Sequence, residues 1–279
     1  MTLQPEQLGQ SKQELAAALK ELRKRAGLSG ARLAARCNMS QSKISRIENG
    51  KSPASLVDVE QILRALEAPP EVLTRVTELA RLAHTEWQGL RALRRKGLHH
   101  KQQELASLES SSTEFRFFLL SMITGLLSTP EYIRASLAHL EGDQSRLIAR
   151  KLSRQEVLYD TSKKFTFLLS EMAVRWPLIA APAMAMQLDR LASISRLPNV
   201  RIGVIPLKGL MPVAPMDTFT IYDTSLVTIE TTSGVLALRD SKDVAIHLES
   251  YSTMESYALF GQEMRNLLER WSDDFRSPA

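Results

Sequence analysis

The sequence predicts a mainly α chain with a separate α+β part: an N-terminal bundle of five helices, then a C-terminal α+β domain with a small mixed or antiparallel sheet and flanking helices. Three observations predict it. Up to Trp87 the apolar residues recur at helical spacing. Beyond Glu109, short β-branched and aromatic runs bounded by Pro, Gly, Asp and Ser alternate with helical stretches. At 279 residues the chain has room for two ordinary domains of roughly 100 to 200 residues each.

Residues 1–10 lack apolar periodicity and read as a flexible arm. The bundle spans 11–87. Its first helix starts at a Ser11 cap with Glu14 three residues on, and carries Leu15, Ala18, Leu19, Leu22 and Ala26 as far as Gly27. Ser29 caps a second helix with Leu33 and Ala34 inward, and Asn38 supplies a turn residue tolerant of positive φ. Ser40 then caps a third helix, in which Ile44 and Ile47 face inward and Gln41, Ser42, Lys43 and Arg46 outward, until Asn49-Gly50 stops it. A fourth runs from Ser55 through Leu56, Val59, Ile62, Leu63 and Leu66 to Pro69-Pro70, and a fifth from Pro70 through Trp87.

Two short helices joined by a tight turn, the second with a polar face, form a helix-turn-helix of the kind that reads DNA. Charge agrees with a polyanion partner. Residues 1–101 hold 18 Lys+Arg against 10 Asp+Glu, a net +8, whereas residues 102–279 hold 18 against 21, a net −3. The basic excess lies wholly in the N-terminal third. It continues into a basic helical linker at 88–104, with Arg91, Arg94, Arg95, Lys96 and Lys101. His99-His100 in that linker lack a carboxylate or cysteine at ligand spacing, so no metal site is expected.

The single cysteine, Cys37, excludes an intramolecular disulfide and a cysteine-built zinc site. No window reaches the ~18 apolar residues of a membrane span, and Met1 to Gly9 lacks the pattern of a signal peptide. The expectation is a cytoplasmic protein with no membrane partner.

The C-terminal domain, 105–279, opens with a strand at Phe115 to Leu120, then TGLLSTPEYIRASL, where Thr129 caps a helix with Pro130 in its first turn. A long polar helix is expected over Asp143 to Tyr159, a strand over Phe165 to Ser170, and a helix carrying Met184, Leu188, Leu191 and Ile194. The runs VRIGVIPL, DTFTIYD, LVTIETT and VLALRD read as strands, with helices between Ser241 and Trp271. Glu171 and Arg175 suit an i, i+4 ion pair, Asp217 and Asp223 flank a strand, and His247 lies in the last helical region. None of them completes a nucleophile, base and orienter, so no catalytic residue, cofactor or metal is assigned and the chain is not expected to be an enzyme.

LSGARLAARCNM followed by SQSKISRIENGKSPASLVDVEQILRAL resembles the XRE-type helix-turn-helix of lambdoid phage repressors and Cro, over about Lys12 to Leu66. The resemblance implies a lambda-repressor-like bundle with Gln41 and Ser42 at the base-reading start of the recognition helix. Gln41 can bond N6 and N7 of adenine, Ser42 discriminates weakly, and Arg46 one turn on can grip O6 and N7 of guanine. Lys43, off that line, and Lys51 suit phosphate. Gly30 stands where the family often has a phosphate-touching Gln, so only its backbone N–H can serve. Arg23 and Glu48 match the positions of a structural ion pair. Such repressors bind double-stranded DNA as homodimers with half-sites about 34 Å apart.

Beyond it, TGLLSTPEYIRA, SEMAVRW, QLDRLA, VRIGVIPL, DTFTIYD and LVTIETT resemble, in this order, the large domain of unknown function that follows such a helix-turn-helix in many regulators of filamentous high-GC bacteria. Thr124 and Ser128 depart from the commoner PGLLQTPEYAR. The resemblance implies a small protein encoded nearby as partner. The function expected is therefore a dimeric transcription regulator whose C-terminal domain senses a partner protein or small-molecule ligand. Alternatives are an antitoxin-like module that sequesters a small partner, and a C-terminal enzyme acting on a signal molecule.

Overall fold

The computed structural model describes residues 8–52, 54–83, 85–89, 108–140, 142–208, 214–232 and 234–277. They fall into two compact units, Met1–Gly89 with Gly234–Asp243, and Leu90–Ser233 with Val244–Ala279. Most of the expected basic linker, including all its Arg and Lys residues, lies outside the described residues, as does the arm up to residue 7.

In the first unit, helices α1 (Leu8–Arg25), α2 (Gly30–Arg36), α3 (Gln41–Glu48), α4 (Leu56–Ala65) and α5 (Pro70–Ala83) enclose one core. Leu15, Leu19, Leu33, Ile44, Ile47, Val59, Ile62, Leu63, Val76 and Ala80 fill it, three or four residues apart within each helix as an amphipathic pattern demands. Ser29, Ser40 and Ser55 accept backbone bonds from Arg32, Lys43 and Asp58, and so cap α2, α3 and α4 at about 1 kcal/mol each. Helix α1 begins at Leu8, ahead of the Ser11 cap expected from sequence; a capping hydroxyl permits a helix start and does not impose one.

The other departure is at the end of this unit. Helix α5 stops at Ala83, and Trp87 lies in strand β1 (Thr85–Gly89), antiparallel to strand β7 (Gly234–Leu238), with Trp87 opposite Leu236. Trp87 lies four positions after Ala83, which suits a helix locally, but a backbone ladder with a distant strand overrides that preference. The strand expected within VLALRD thus belongs to the N-terminal unit.

The second unit is built on strands β2 (Glu114–Leu119), β3 (Lys164–Ser170), β4 (Val200–Ile205), β5 (Thr218–Tyr222), β6 (Leu226–Thr231) and β8 (Leu259–Phe260), in the order β6-β5-β2-β3-β4-β8. Strands β2, β3 and β4 run parallel and the remaining pairings are antiparallel, so the sheet is mixed. Parallel neighbours need crossovers. Helices α6 (Pro130–Ser136) and α7 (Ser145–Ser153) make the first, and α8 (Glu171–Arg175) and α9 (Ala181–Ile194) the second. Helices α10 (Ser241–Glu255) and α11 (Gly261–Arg276) complete the α+β unit.

Because helices cover the parallel strands, both faces are apolar: Phe115, Phe117, Phe118, Phe165, Phe167 and Leu168 are buried. Phe115 stacks on Phe165 at 4.7 Å and Phe117 on Phe167 at 4.6 Å, each pair in register across β2 and β3. Met184, Leu188, Leu191 and Ile194 form the buried stripe of α9. The long helix expected over Asp143 to Tyr159 is shorter, for α7 gives way at Arg154 to a 3-10 turn through Tyr159. There Arg154 forms an ion pair with buried Glu109, and Gln155 donates to the carbonyls of Gly125 and Ser128 at 2.7 and 2.8 Å. These tertiary bonds set the tighter winding.

Candidate nucleic-acid interface

Helix α3 is positioned from its turn upward. Asn38 adopts φ 52°, reversing the chain between α2 and α3 at a residue whose short amide tolerates that conformation. Ser40 Oγ then accepts from the N–H of Lys43 at 3.2 Å and fixes the first turn. Ile44 and Ile47 are buried, and they turn Gln41, Ser42, Ser45 and Arg46 outward. At the far end Asn49 donates its amide to the carbonyl of Ser45 at 2.8 Å, and Gly50 leaves the helix at φ 64°.

Two ion pairs tie this helix to its neighbours. Arg23 of α1 grips Glu48 with both ends of its guanidinium, Nε to Oε1 at 2.6 Å and Nη2 to Oε2 at 2.8 Å, and Nη1 donates to the carbonyl of Leu28 at 2.8 Å. With its donors so occupied, Arg23 is a tie between helices. Lys43 Nζ lies 2.7 Å from Asp58 Oδ1 in α4. Burial alone would raise the Asp58 carboxyl, but hydrogen bonds from Lys43 and Ser55, with the ammonium charge, hold it below the usual carboxylate range.

The side chains assigned to bases and phosphates separate clearly. The side chains of Gln41 and Arg46 are exposed and have no hydrogen-bond partner among the described residues. Ser42 is exposed, with its hydroxyl 3.1 Å from that of Ser40. Lys51 is exposed just beyond the helix. Gly30 is the first residue of α2, behind the Ser29 cap, and a Cβ added there meets nothing within 4 Å. Lys43 is the exception, since its ammonium already has a carboxylate partner. Asp58 is the residue that sequence reasoning missed, though Ser55 with Asp58 three residues on is a capping-box signature that could have singled it out.

Cys37 is 5% exposed with Sγ 3.8 Å from the carbonyl of Gln61, and burial pushes its thiol up, away from the reactive thiolate. In the second unit Glu171, Asp223 and His247 each have separate structural partners. Glu171 pairs with Arg175 at 2.9 Å and accepts from the N–H of Leu207. Asp223 accepts from the backbone of Thr113 and Glu114 at 3.0 and 2.9 Å. His247 packs edge-on against Phe219, its ring 5.1 Å away.

Residues 14–76 match a family model described as a helix-turn-helix domain. Residues 102–270 match a family described as a domain of unknown function, DUF5753. The chain belongs to the DUF5753 family. No curated protein matches this DUF5753-family chain. Among solved structures, NucT from Helicobacter pylori is 15% identical with a TM-score of 0.39, covering 63% of this chain and 98% of that one. Nuc from Salmonella typhimurium, a phospholipase D family member, is 11% identical with a TM-score of 0.35, over 58% and 90%. TrmBL2, an archaeal chromatin protein, is 11% identical with a TM-score of 0.33, over 72% and 66%. Likenesses this distant carry no argument about function. No helix among the described residues is long and apolar enough to cross a membrane.

Proposed function

We propose that this chain is a sequence-specific transcription regulator of the XRE type, a cytoplasmic homodimer that binds double-stranded DNA through α3. Its second unit receives a partner protein or a small ligand. The observation that carries the reading is the exposed pair Gln41 and Arg46, whose side chains have no partner among the described residues, on a helix whose opposite face is fixed by Ile44, Ile47 and two ion pairs. Such a helix can enter a major groove about 12 Å wide with its polar face already set. Arg46 reads guanine and Gln41 adenine, Ser42 assists, and Lys51 with the backbone N–H of Gly30 meets phosphate. A second copy doubles the few base pairs one helix can cover and sets half-sites about one helical turn apart.

The test is an electrophoretic shift on a duplex that the wild-type chain selects from a random library. Arg46→Ala is expected to lower affinity for that duplex by about 5- to 150-fold, the ~1 to 3 kcal/mol of a bidentate base contact. Equal binding by wild type and Arg46→Ala at physiological salt would falsify the base-reading assignment.

A further inference from the structure

The recognition helix is held at both ends by ions from different helices, and we propose that the pair at its start makes Asp58 a positioning residue for base reading. The proposal rests on α3 being the DNA-reading helix. Helix α3 has only eight residues, and its buried apolar residues are Ile44 and Ile47. Two apolar anchors three residues apart seat such a helix on the bundle but leave its rotation and the tilt of its first turn weakly determined. Arg23 fixes the last residue, Glu48, from α1.

Asp58 does the same for the first turn from α4. It is 8% exposed, and its carboxylate is immobilised by its own cap: Oδ2 accepts from the N–H of Ser55 at 3.1 Å while the N–H of Asp58 donates to Ser55 Oγ at 3.1 Å. The remaining oxygen, Oδ1, receives Lys43 Nζ at 2.7 Å. Lys43 is therefore held twice, by its backbone N–H on Ser40 and by its ammonium on Asp58. It directly follows Gln41 and Ser42 and precedes Arg46 by three residues, so its position sets where the readers point. Base readout tolerates only about 0.5 Å and 10–20° of misplacement. With the Lys43 side chain 43% exposed the pair adds little to stability, so its consequence lies in geometry.

The test uses the full chain, the selected duplex and poly(dI-dC) as the non-specific competitor. Asp58→Asn keeps an amide able to cap α4 and removes the charge; Lys43→Gln removes the pair without touching the cap. Each is expected to lower the preference for the selected duplex over poly(dI-dC) about tenfold. The double variant is expected to be no worse than either single, and the exchange Lys43→Asp with Asp58→Lys to regain part of the preference. Salt dependence is expected to stay unchanged. Losses that multiply in the double variant, or a salt slope about one unit shallower in Lys43→Gln alone, make Lys43 an independent phosphate contact and overturn the proposal. So does a preference within about twofold of wild type in both singles. If Asp58→Asn fails to fold, Lys43→Gln decides by the same two readouts. A wild-type chain that selects no duplex refutes the DNA-reading function instead.

Discussion

Lys43 and Arg46 are both cations of one short helix, yet one has a carboxylate at 2.7 Å and the other none among the described residues. The difference is what a residue-by-residue reading of charge misses. Removing Glu48 from beneath Arg23 leaves the guanidinium of a side chain only 14% exposed without its bidentate partner. We expect Glu48→Gln to cost about 2–3 kcal/mol by denaturant unfolding, below the ~3–5 of a wholly buried pair because Arg23 keeps some water. Gly30→Ala is expected to stabilise by about 0.4–1 kcal/mol, for the site has open space and the unfolded chain loses freedom. Asp58 adds a pH dependence. Its folded carboxyl is depressed, so its contribution is fully present above the unfolded value of about 3.9 and is lost as pH falls through the lower folded value. Acid unfolding followed by circular dichroism should therefore flatten below about pH 4 in Asp58→Asn relative to wild type.

At the scale of elements, the loop before α6 illustrates how buried polar side chains hold backbone. Gln187 of α9 is fully buried, donating to the carbonyl of Leu127 at 3.0 Å and accepting from the N–H of Thr129 at 2.7 Å. Gln187→Leu leaves both groups dry and unpaired, and is expected to cost about 3 kcal/mol in thermal or chemical unfolding. A loss below ~0.5 kcal/mol would show that water reaches the loop. The Thr129 cap and Pro130 were legible from sequence because both act within one turn, as were the apolar stripes of α3, α4 and α9. Gln187 was not, since its partners lie about 60 residues away and leave no periodic mark. The same holds for Lys43 with Asp58, for Glu109 with Arg154, and for the 3-10 winding at Arg154 that shortens the expected helix.

For the whole molecule, the least legible feature is the pairing of β1 with β7, strands some 145 residues apart. Each is short, and Thr85 to Gly89 continues the register of a helix, so only a distant backbone partner turns it into a strand. Deleting Gly234–Leu238 is expected to abolish slow hydrogen exchange at Thr85–Gly89 while leaving the amides of α1 to α4 protected. Protection of Thr85–Gly89 in that deletion, read by mass spectrometry, would refute the ladder as the source of its order.

The ladder also bears on the order in which the chain is made. A ribosome delivers α1 to α5 first, and these helices can condense on their own core while later residues are still being joined. The strand that completes the unit emerges only after β2 to β6 have been synthesised. A product cut short anywhere before residue 234 therefore carries the recognition helix but leaves the backbone of Thr85–Gly89 without its ladder partner. Only synthesis past Leu238 supplies that partner.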